Sequence, residues 1–274
     1  MNHCKTIALV NQKGGVGKTT STVNLGVGLA KEGKRVLLVD NDPQHSLTIS
    51  LGTPNPDDLE ITLSTAMYAE IQDKAVPWEK GIIHHGEGVD LLPSNYELAG
   101  VEMSLFNAMS REQVLKSVLN RVKDRYDYIL IDCMPSLGLM SINVLVAADS
   151  VIIPSEPDFL STKGLNLLIR TISKVRRQIN PRLKIDGIVM TMVDSRTNNA
   201  QNIIASLRST VGGSIRVFDT EIPRSVRAAE ASGVGKSIYA YNPKGRVAQA
   251  YANLTKEVMA LEKESDRSRS DSAR

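Results

Sequence analysis

Residues Lys13-Gly-Gly-Val-Gly-Lys-Thr-Thr20 set three glycines and two lysines between the apolar run Thr6-Ile-Ala-Leu-Val10 and a helix-like stretch from Thr20 to Lys31. This is chemistry for a polyphosphate. Gly14, Gly15 and Gly17 give the backbone conformations that a Cβ forbids, so successive N–H groups, Val16 among them, can turn inward around phosphate oxygens. The helix that follows adds the positive end of its dipole. Lys18 would reach the β- and γ-phosphates. Thr19 would complete the shell of a magnesium ion that keeps several of its waters, with Thr20 next in the loop. A chance glycine-rich turn is the plain alternative, but strand, loop, Lys-Thr and helix occur in the order this chemistry requires.

Carboxylates end two further apolar runs. Tyr126-Asp-Tyr-Ile-Leu-Ile-Asp132 closes on Asp132, which at the carboxyl end of a buried strand would anchor the magnesium and its waters, a Walker B role. A strand-end aspartate capping the helix after Ser136 is the other reading. The run ending Val39-Asp-Asn-Asp-Pro-Gln44 brings Asp40 toward the magnesium shell and Asp42 to where it would orient a water attacking the γ-phosphate. An ordinary aspartate, of pKa about 3.9, is a poor proton acceptor. In a loose phosphoryl-transfer transition state, positioning the water matters more than basicity. Asn-Asp-Pro is also a plain turn sequence.

Lys13 is the unusual element. A phosphate loop needs only its closing lysine, and a second one at the opening is placed to leave its own site. Two chains packed face to face would each put Lys13 on the other's nucleotide, neutralising charge as an arginine finger does.

These groups need a sheet to position them. The chain has 274 residues, 42% of them hydrophobic, few aromatics and a formal charge of +3, a composition that fits a globular α/β protein. Strands are expected at 6–11, 35–40, 89–93, 127–132, 150–154, 185–193 and 214–219, and helices near 18–32, 111–124, 138–147, 162–178, 200–210 and 244–262. Continuous apolar strands alternating with helices imply right-handed crossovers and one doubly wound, mostly parallel sheet with helices on both faces. Residues 52–82 read as a surface insertion of turns and short helix. A single domain is expected over 1–262, and a disordered charged tail over 263–274. The first strand opens within about five residues of the start, and no apolar run nears the roughly 20 residues of a membrane span, so a cytoplasmic location is expected. The two cysteines, Cys4 and Cys133, have no metal-ligand spacing. His84 and His85 are adjacent and would point apart.

Taken together, Lys13–Thr20, Asp40-Asn-Asp-Pro-Gln44, Asp132-Cys-Met-Pro-Ser-Leu-Gly138, Thr191-Met-Val-Asp-Ser-Arg-Thr197 and Ile222-Pro-Arg-Ser-Val-Arg227 resemble the ParA/Soj family of deviant-Walker P-loop partition ATPases, from about residue 5 to 260. The resemblance implies ATP and Mg2+ as ligands, a weak ATPase and an ATP-sandwich homodimer. It also implies non-specific binding of double-stranded DNA, and stimulation by a ParB-type centromere-binding protein. Lys13 falls on the lysine that acts across the dimer, Asp42 on the water-activating aspartate, and Arg196 and Arg227 on arginines associated with DNA. Pro223 falls near the adenine, and a nucleoid-associated location is implied.

Arg196, Arg224 and Arg227, on expected sheet-edge loops, would form a phosphate-tracking surface with the basic stretch Lys163–Lys184. That stretch carries seven lysines and arginines and no acid, with Arg170, Lys174 and Arg177 on one helical face. Solvated helix face and local ion pairs, Arg196 with Asp194 or Arg227 with Glu230, are the alternatives. No aromatic interleaving or helix-turn-helix signature indicates sequence-specific readout. Three positions depart from the family's pattern: Met134 within Asp-Cys-Met-Pro, His45 where glycine often follows Asp-Pro-Gln, and Glu156 in Ser155-Glu-Pro-Asp158 in place of Val-Gln-Cys-Glu. The chain opens at the P-loop strand, so the N-terminal DNA-reading domain of larger plasmid relatives is not expected. A membrane-binding MinD-like protein would need an apolar face in residues 262–274. A nitrogenase-type reductase would need bridging cysteines, and a tyrosine kinase of related loop design a C-terminal tyrosine cluster. A nucleotide-gated regulator of replication initiation, acting mainly by protein binding, is the alternative of a different class.

Overall fold

The computed structural model describes residues 4–194 and 196–272, and of 159–163 and 265–272 the backbone alone. In chain order its elements are β1 (Lys5–Leu9), α1 (Lys18–Lys31), β2 (Val36–Asn41), α2 (Ser46–Ser50), α3 (Leu63–Ile71), β3 (Ile83–His85), β4 (Val89–Leu92), α4 (Leu98–Leu105), α5 (Val114–Asn120), β5 (Tyr128–Cys133), α6 (Leu139–Ala147), β6 (Ser150–Ser155), α7 (Phe159–Gln178), β7 (Lys184–Val193), α8 (Asn198–Val211), β8 (Val217–Pro223), α9 (Val226–Gly233), α10 (Ile238–Tyr241) and α11 (Arg246–Ser272). The strands form one sheet in the order β3-β4-β2-β5-β1-β6-β7-β8. All neighbours are parallel except β3 with β4.

Alternation along the strands divides the core into two layers. Ala8, Leu37, Val39, Ile129, Ile131 and Val151 face helices α3 to α8. Ile7, Leu9, Leu38, Leu130 and Ile152 face α1 and α11. Every residue of β2, β5 and β6 is buried, as strands covered on both faces must be. The expected α/β architecture, with helices on both faces of a mostly parallel sheet, is the one observed.

The chain winds from β1 through β2 to β4, then returns to insert β5 between β2 and β1 before continuing through β6 to β8. Parallel registry carries the consequence. Asp132 lies opposite Leu9 on one side and Asp40 on the other, so three chain segments deliver their loops to one point on the carboxyl edge, where such sheets bind ligands.

Two expectations are corrected. The 52–82 segment is not a surface insertion. Leu63, Met67 and Trp78 are fully buried in the layer that covers β2, and Arg121 lies over the Trp78 ring at 5.4 Å. Its apolar residues are too few between turns to show a period, yet they fill one end of the core. The last strand begins at Val217 rather than 214, because Ser214 and Ile215 still bond back to the Val211 carbonyl at the end of α8. The backbone of α11 runs on to Ser272, with no glycine or proline to interrupt it; residues 273–274 lie outside the described ones.

Trp78→Ala should lower the free energy of unfolding in urea by about 3–5 kcal/mol, as a large buried aromatic does. A loss below about 0.5 kcal/mol, the range of a surface substitution, would return this segment to the exterior.

Candidate functional site

The loop after β1 is anchored before it is shaped. Val10 N–H donates to the Ile152 carbonyl at 3.1 Å, the Asn11 amide to the Pro154 carbonyl at 2.7 Å, and Lys13 N–H back to Asn11 Oδ1 at 3.0 Å. Gly15 and Gly17 then take φ values of 75° and 79°, which residues with a Cβ rarely adopt. Their turn leads straight into α1. Over Gly14 and Gly15 there is open space where a Cβ would point, a cradle open to a ligand.

Lys18 is 6% exposed and folds back so that Nζ donates to the Lys13 carbonyl at 3.2 Å. Burial lowers its pKa, opposed by the nearby charge of Asp132. Thr19 Oγ1 donates to Asp132 Oδ2 at 2.6 Å, which brings the predicted magnesium hydroxyl and its predicted carboxylate into contact. Asp132 is 1% exposed; burial pushes its pKa up to about 7 against the Thr19 hydrogen bond and the Lys18 charge. Asp40 is fully buried, and burial followed by the Asp132 charge pushes it up to about 8. Two carboxylates held this way are an uncomfortable pair without a cation, and an oxygen donor set of this kind suits a hard divalent ion.

Asp40 is also occupied by the loop that follows it. Its Oδ2 accepts from Thr48 N–H at 2.8 Å and Thr48 Oγ1 at 2.7 Å, and Oδ1 from Asp42 N–H at 3.3 Å. It therefore fixes the segment from Asp42 to Thr48. Asp42 Oδ1 accepts from Gln44 N–H at 2.9 Å, while its carbonyl accepts from His45 N–H at 2.8 Å and Ser94 Oγ at 2.9 Å. The turn read as the alternative is thus real, and it is the device that holds Asp42 at the edge. His45 has φ 44°, a left-handed conformation in which glycine is strain-free. Its imidazole is buried edge-on against Tyr96 at 4.7 Å.

Two features were not visible in the sequence. Thr191 Oγ1 donates to the Val16 carbonyl at 2.8 Å, and Met192 beside it has φ 52° and packs toward Gly17, so the end of β7 braces the phosphate loop. Asn41, fully buried between the two aspartates, has both amide atoms without a hydrogen-bond partner among the described residues. Buried polar groups are rarely left so, and this orphan marks the edge as a place for a polar ligand. Pro223 lines a cleft of about 260 Å³ with Val193, Glu221, Arg246, Gln249 and Asn253. The i, i+4 amides of Gln249 and Asn253 bond each other at 3.1 Å and carried no signal of their own.

The arginines divide. Arg196 is locked to Asp194 through Nε and Nη2, each at 2.9 Å, although its side chain is 87% exposed. The local ion pair expected as an alternative is present. Arg224 Nη2 meets Glu156 Oε1 at 3.2 Å. Arg227 is exposed and, among the described residues, makes no ion pair with Glu230, which accepts from Tyr241 Oη at 3.0 Å. On α7, Arg170, Lys174 and Arg177 are exposed opposite the buried Leu168, Ile172 and Val175; the Lys163 side chain lies outside the described residues.

Lys13 turns aside from the loop. Its Nζ contacts Glu156 Oε2 at 2.8 Å and the Asp158 carboxylate, both on the segment after β6, and these hydrogen bonds, Asp158 first, raise its pKa.

A family model described as an AAA domain matches residues 4–185. The sporulation initiation inhibitor protein Soj of Bacillus subtilis is 44% identical over 256 residues, 93% of this chain and 98% of that protein. The chromosome partitioning protein ParA of Caulobacter vibrioides is 37% identical over 265 residues, covering 96% and 97%. Among solved structures, a cobyrinic acid a,c-diamide synthase of Mycobacterium smegmatis with bound ATP analog and magnesium superposes with a TM-score of 0.82, at 34% identity, over 95% of this chain and 96% of that one.

Asp132→Asn should raise the thermal midpoint of the ligand-free chain. The folded pKa lies above the unfolded one, so the cost of the buried charge grows as pH rises from about 4 and is complete above about 7. The gain should therefore be largest at pH 8 and shrink toward pH 5 in scanning calorimetry. A loss of stability at pH 8 would contradict this account.

Proposed function

The chain belongs to the Soj/ParA family of P-loop partition ATPases, and we propose that it binds and slowly hydrolyses ATP with Mg2+. In this reading ATP pairs it with a second copy, the pair holds DNA non-specifically, and a ParB-type partner stimulates release. The observation that carries it is the division of labour between two lysines. Lys18 is buried over its own loop, whereas the Lys13 side chain, 36% exposed, turns away from that loop to acids after β6.

Gly14 to Thr20 would wrap the phosphates with backbone N–H groups, and Lys18 would neutralise them. Thr19 and Asp132 would hold the magnesium, which supplies positive charge to the phosphate oxygens when bound. Asp42, fixed by Asp40 and the Gln44 turn, would orient the attacking water. Thr191, bonded to Val16, keeps the loop in shape for each turn of the cycle. The cleft at Pro223 is of a size and lining to take the base. Lys13 would swing to the partner's phosphates, adding charge as hydrolysis proceeds.

The DNA reading rests on exposed Arg227, on Arg224 and on Arg196, whose partner Asp194 lies in the field of Arg224, and on the basic face of α7. All are backbone-type contacts without a base-reading element. Among the described residues no helix is long and apolar enough to cross a membrane. A nucleoid-associated location follows from the same proposal.

The test is sedimentation with ATP, joined to steady-state turnover with DNA and a candidate centromere-binding protein, alone and together. Wild type should pair with ATP, and turnover should rise most with both additions. Lys18→Ala should lose nucleotide binding. Asp42→Ala should keep ATP and persist as a DNA-bound pair. Lys13→Ala should retain ATP but lose turnover by about 10²–10³-fold, the scale of a missing charge-stabilising group. Arg227→Glu should spare pairing, weaken DNA retention and flatten its salt dependence by about one log–log unit for each phosphate no longer neutralised. Turnover that ignores DNA while the ATP form binds an initiator protein would favour the replication-regulator reading.

A further inference from the structure

Glu156 and Asp158 sit on a tight turn at the end of β6. Asp158 N–H donates to the Glu156 carbonyl at 2.9 Å across Pro157, which sets both carboxylates on one side. Lys13 is delivered to them by a backbone that cannot drift, because Asn11 ties the phosphate loop to Pro154 on the same strand. Only the four-carbon side chain has freedom to move. It meets Glu156 Oε2 and Asp158, while Glu156 Oε1 is taken by Arg224 at 3.2 Å. One carboxylate, 18% exposed, is thus divided between two cations.

We propose that Glu156 and Asp158 latch Lys13 inside its own protomer, and that opening this latch, once in each chain, sets how much ATP is needed before two copies pair. This rests on the paired-nucleotide reading above. The latch and the partner's phosphates compete for one ammonium, so each contact inside the chain opposes pairing. The Lys13 hydrogen bonds keep that ammonium charged throughout. Arg224 acts in the opposite sense, since by drawing on Glu156 it loosens the hold on Lys13. Glu156 is a positioning residue acting through Lys13. A purely structural role would not give the two substitutions opposite signs.

Two measurements on the full chain separate the steps. The first is the reactivity of the Lys13 amine toward acetic anhydride, read by mass spectrometry without nucleotide. The second is the ATP concentration at half-maximal pairing by sedimentation with Mg2+ and no DNA. Partly exposed ion pairs of this kind are worth about two- to fivefold each. With two latches opened and two ATP bound per pair, Glu156→Gln and Asp158→Asn should each lower the ATP requirement by about two- to fivefold and raise Lys13 labelling. Arg224→Ala should raise the requirement and lower labelling. Unchanged labelling in the Glu156→Gln, Asp158→Asn double variant would show that no latch exists. Raised labelling with an unaltered ATP requirement would show that the contact does not gate pairing. Wild type remaining a monomer at saturating ATP, with Lys13 still protected, would overturn the paired reading and with it the gate, while leaving the contact itself demonstrated.

Discussion

A carboxylate buried beneath a glycine-rich loop is the constraint from which the site follows. Asp132 is 1% exposed, one strand from Asp40 at 0%, and both are pushed toward neutrality by burial. A pair of this kind destabilises the chain by itself, because removing charge from water is costly unless an opposite charge compensates. The parallel registry of β1, β5 and β2 leaves the chain no other place for them. The Thr19 hydroxyl and the Lys18 ammonium offset part of the cost, and a divalent cation would offset more. On the proposed reading, a magnesium-bound polyphosphate would therefore bind in part by relieving an internal strain.

The same logic separates the two lysines. Lys18 lies within the field of Asp132 and is buried, so its position is dictated by the site. Lys13 is separated from that field by the loop itself, and finds its counter-charges on the next strand end. One belongs to the fold of the loop, and the other is held by contacts that solvent and a competing anion can both weaken. A lysine suits this second place because its point charge on a flexible stem can exchange partners without a matching fork geometry.

Much of this was legible from residue order. The apolar runs of β1, β2, β5, β6 and β7 and the glycine-lysine loop are strong local signals, and parallel topology then brings Asp132 to Thr19 without further information. What stayed hidden depends on distance in sequence. Trp78 and α3 read as a surface insertion because their burial comes from Arg121 and from α4 and α5, further along the chain, which no local period reports. The edge strand β3 is three residues long and polar, so no alternation marks it. Thr191 braces Val16 across 175 residues; its neighbours marked a motif, but its own role needed the fold. The Lys13 latch was invisible for the same reason, since Glu156 reads from sequence only as a departure from a pattern.

Backbone strain points to how the site would move. Among the described residues four non-glycine positions have positive φ: His45, Asp73, Ser110 and Met192. Two of these flank the nucleotide loop, one on each side. Such conformations cost of order 1–3 kcal/mol and persist only where surrounding contacts over-determine them. Met192 falls in the register shift of the β7–β8 pairing between Met190 and Val193, and its contacts are the ladder pairs on either side, the packing on Gly17 and the neighbouring Thr191–Val16 hydrogen bond. At His45 they are the Asp42 turn, the Tyr96 ring and the short helix α2, while His45 Nδ1 and the adjacent Asn41 amide have no partner among the described residues. The two sides are thus unequal. The β7 side is bracketed by ladder pairs at Met190 and Val193 and tied to the loop through Thr191, whereas the Asp42–Thr48 segment is strained, incompletely satisfied and tied mainly through Asp40. Rearrangement on ligand binding should fall on the segment that carries Asp42, because there the ligand can satisfy polar groups that the chain alone leaves open.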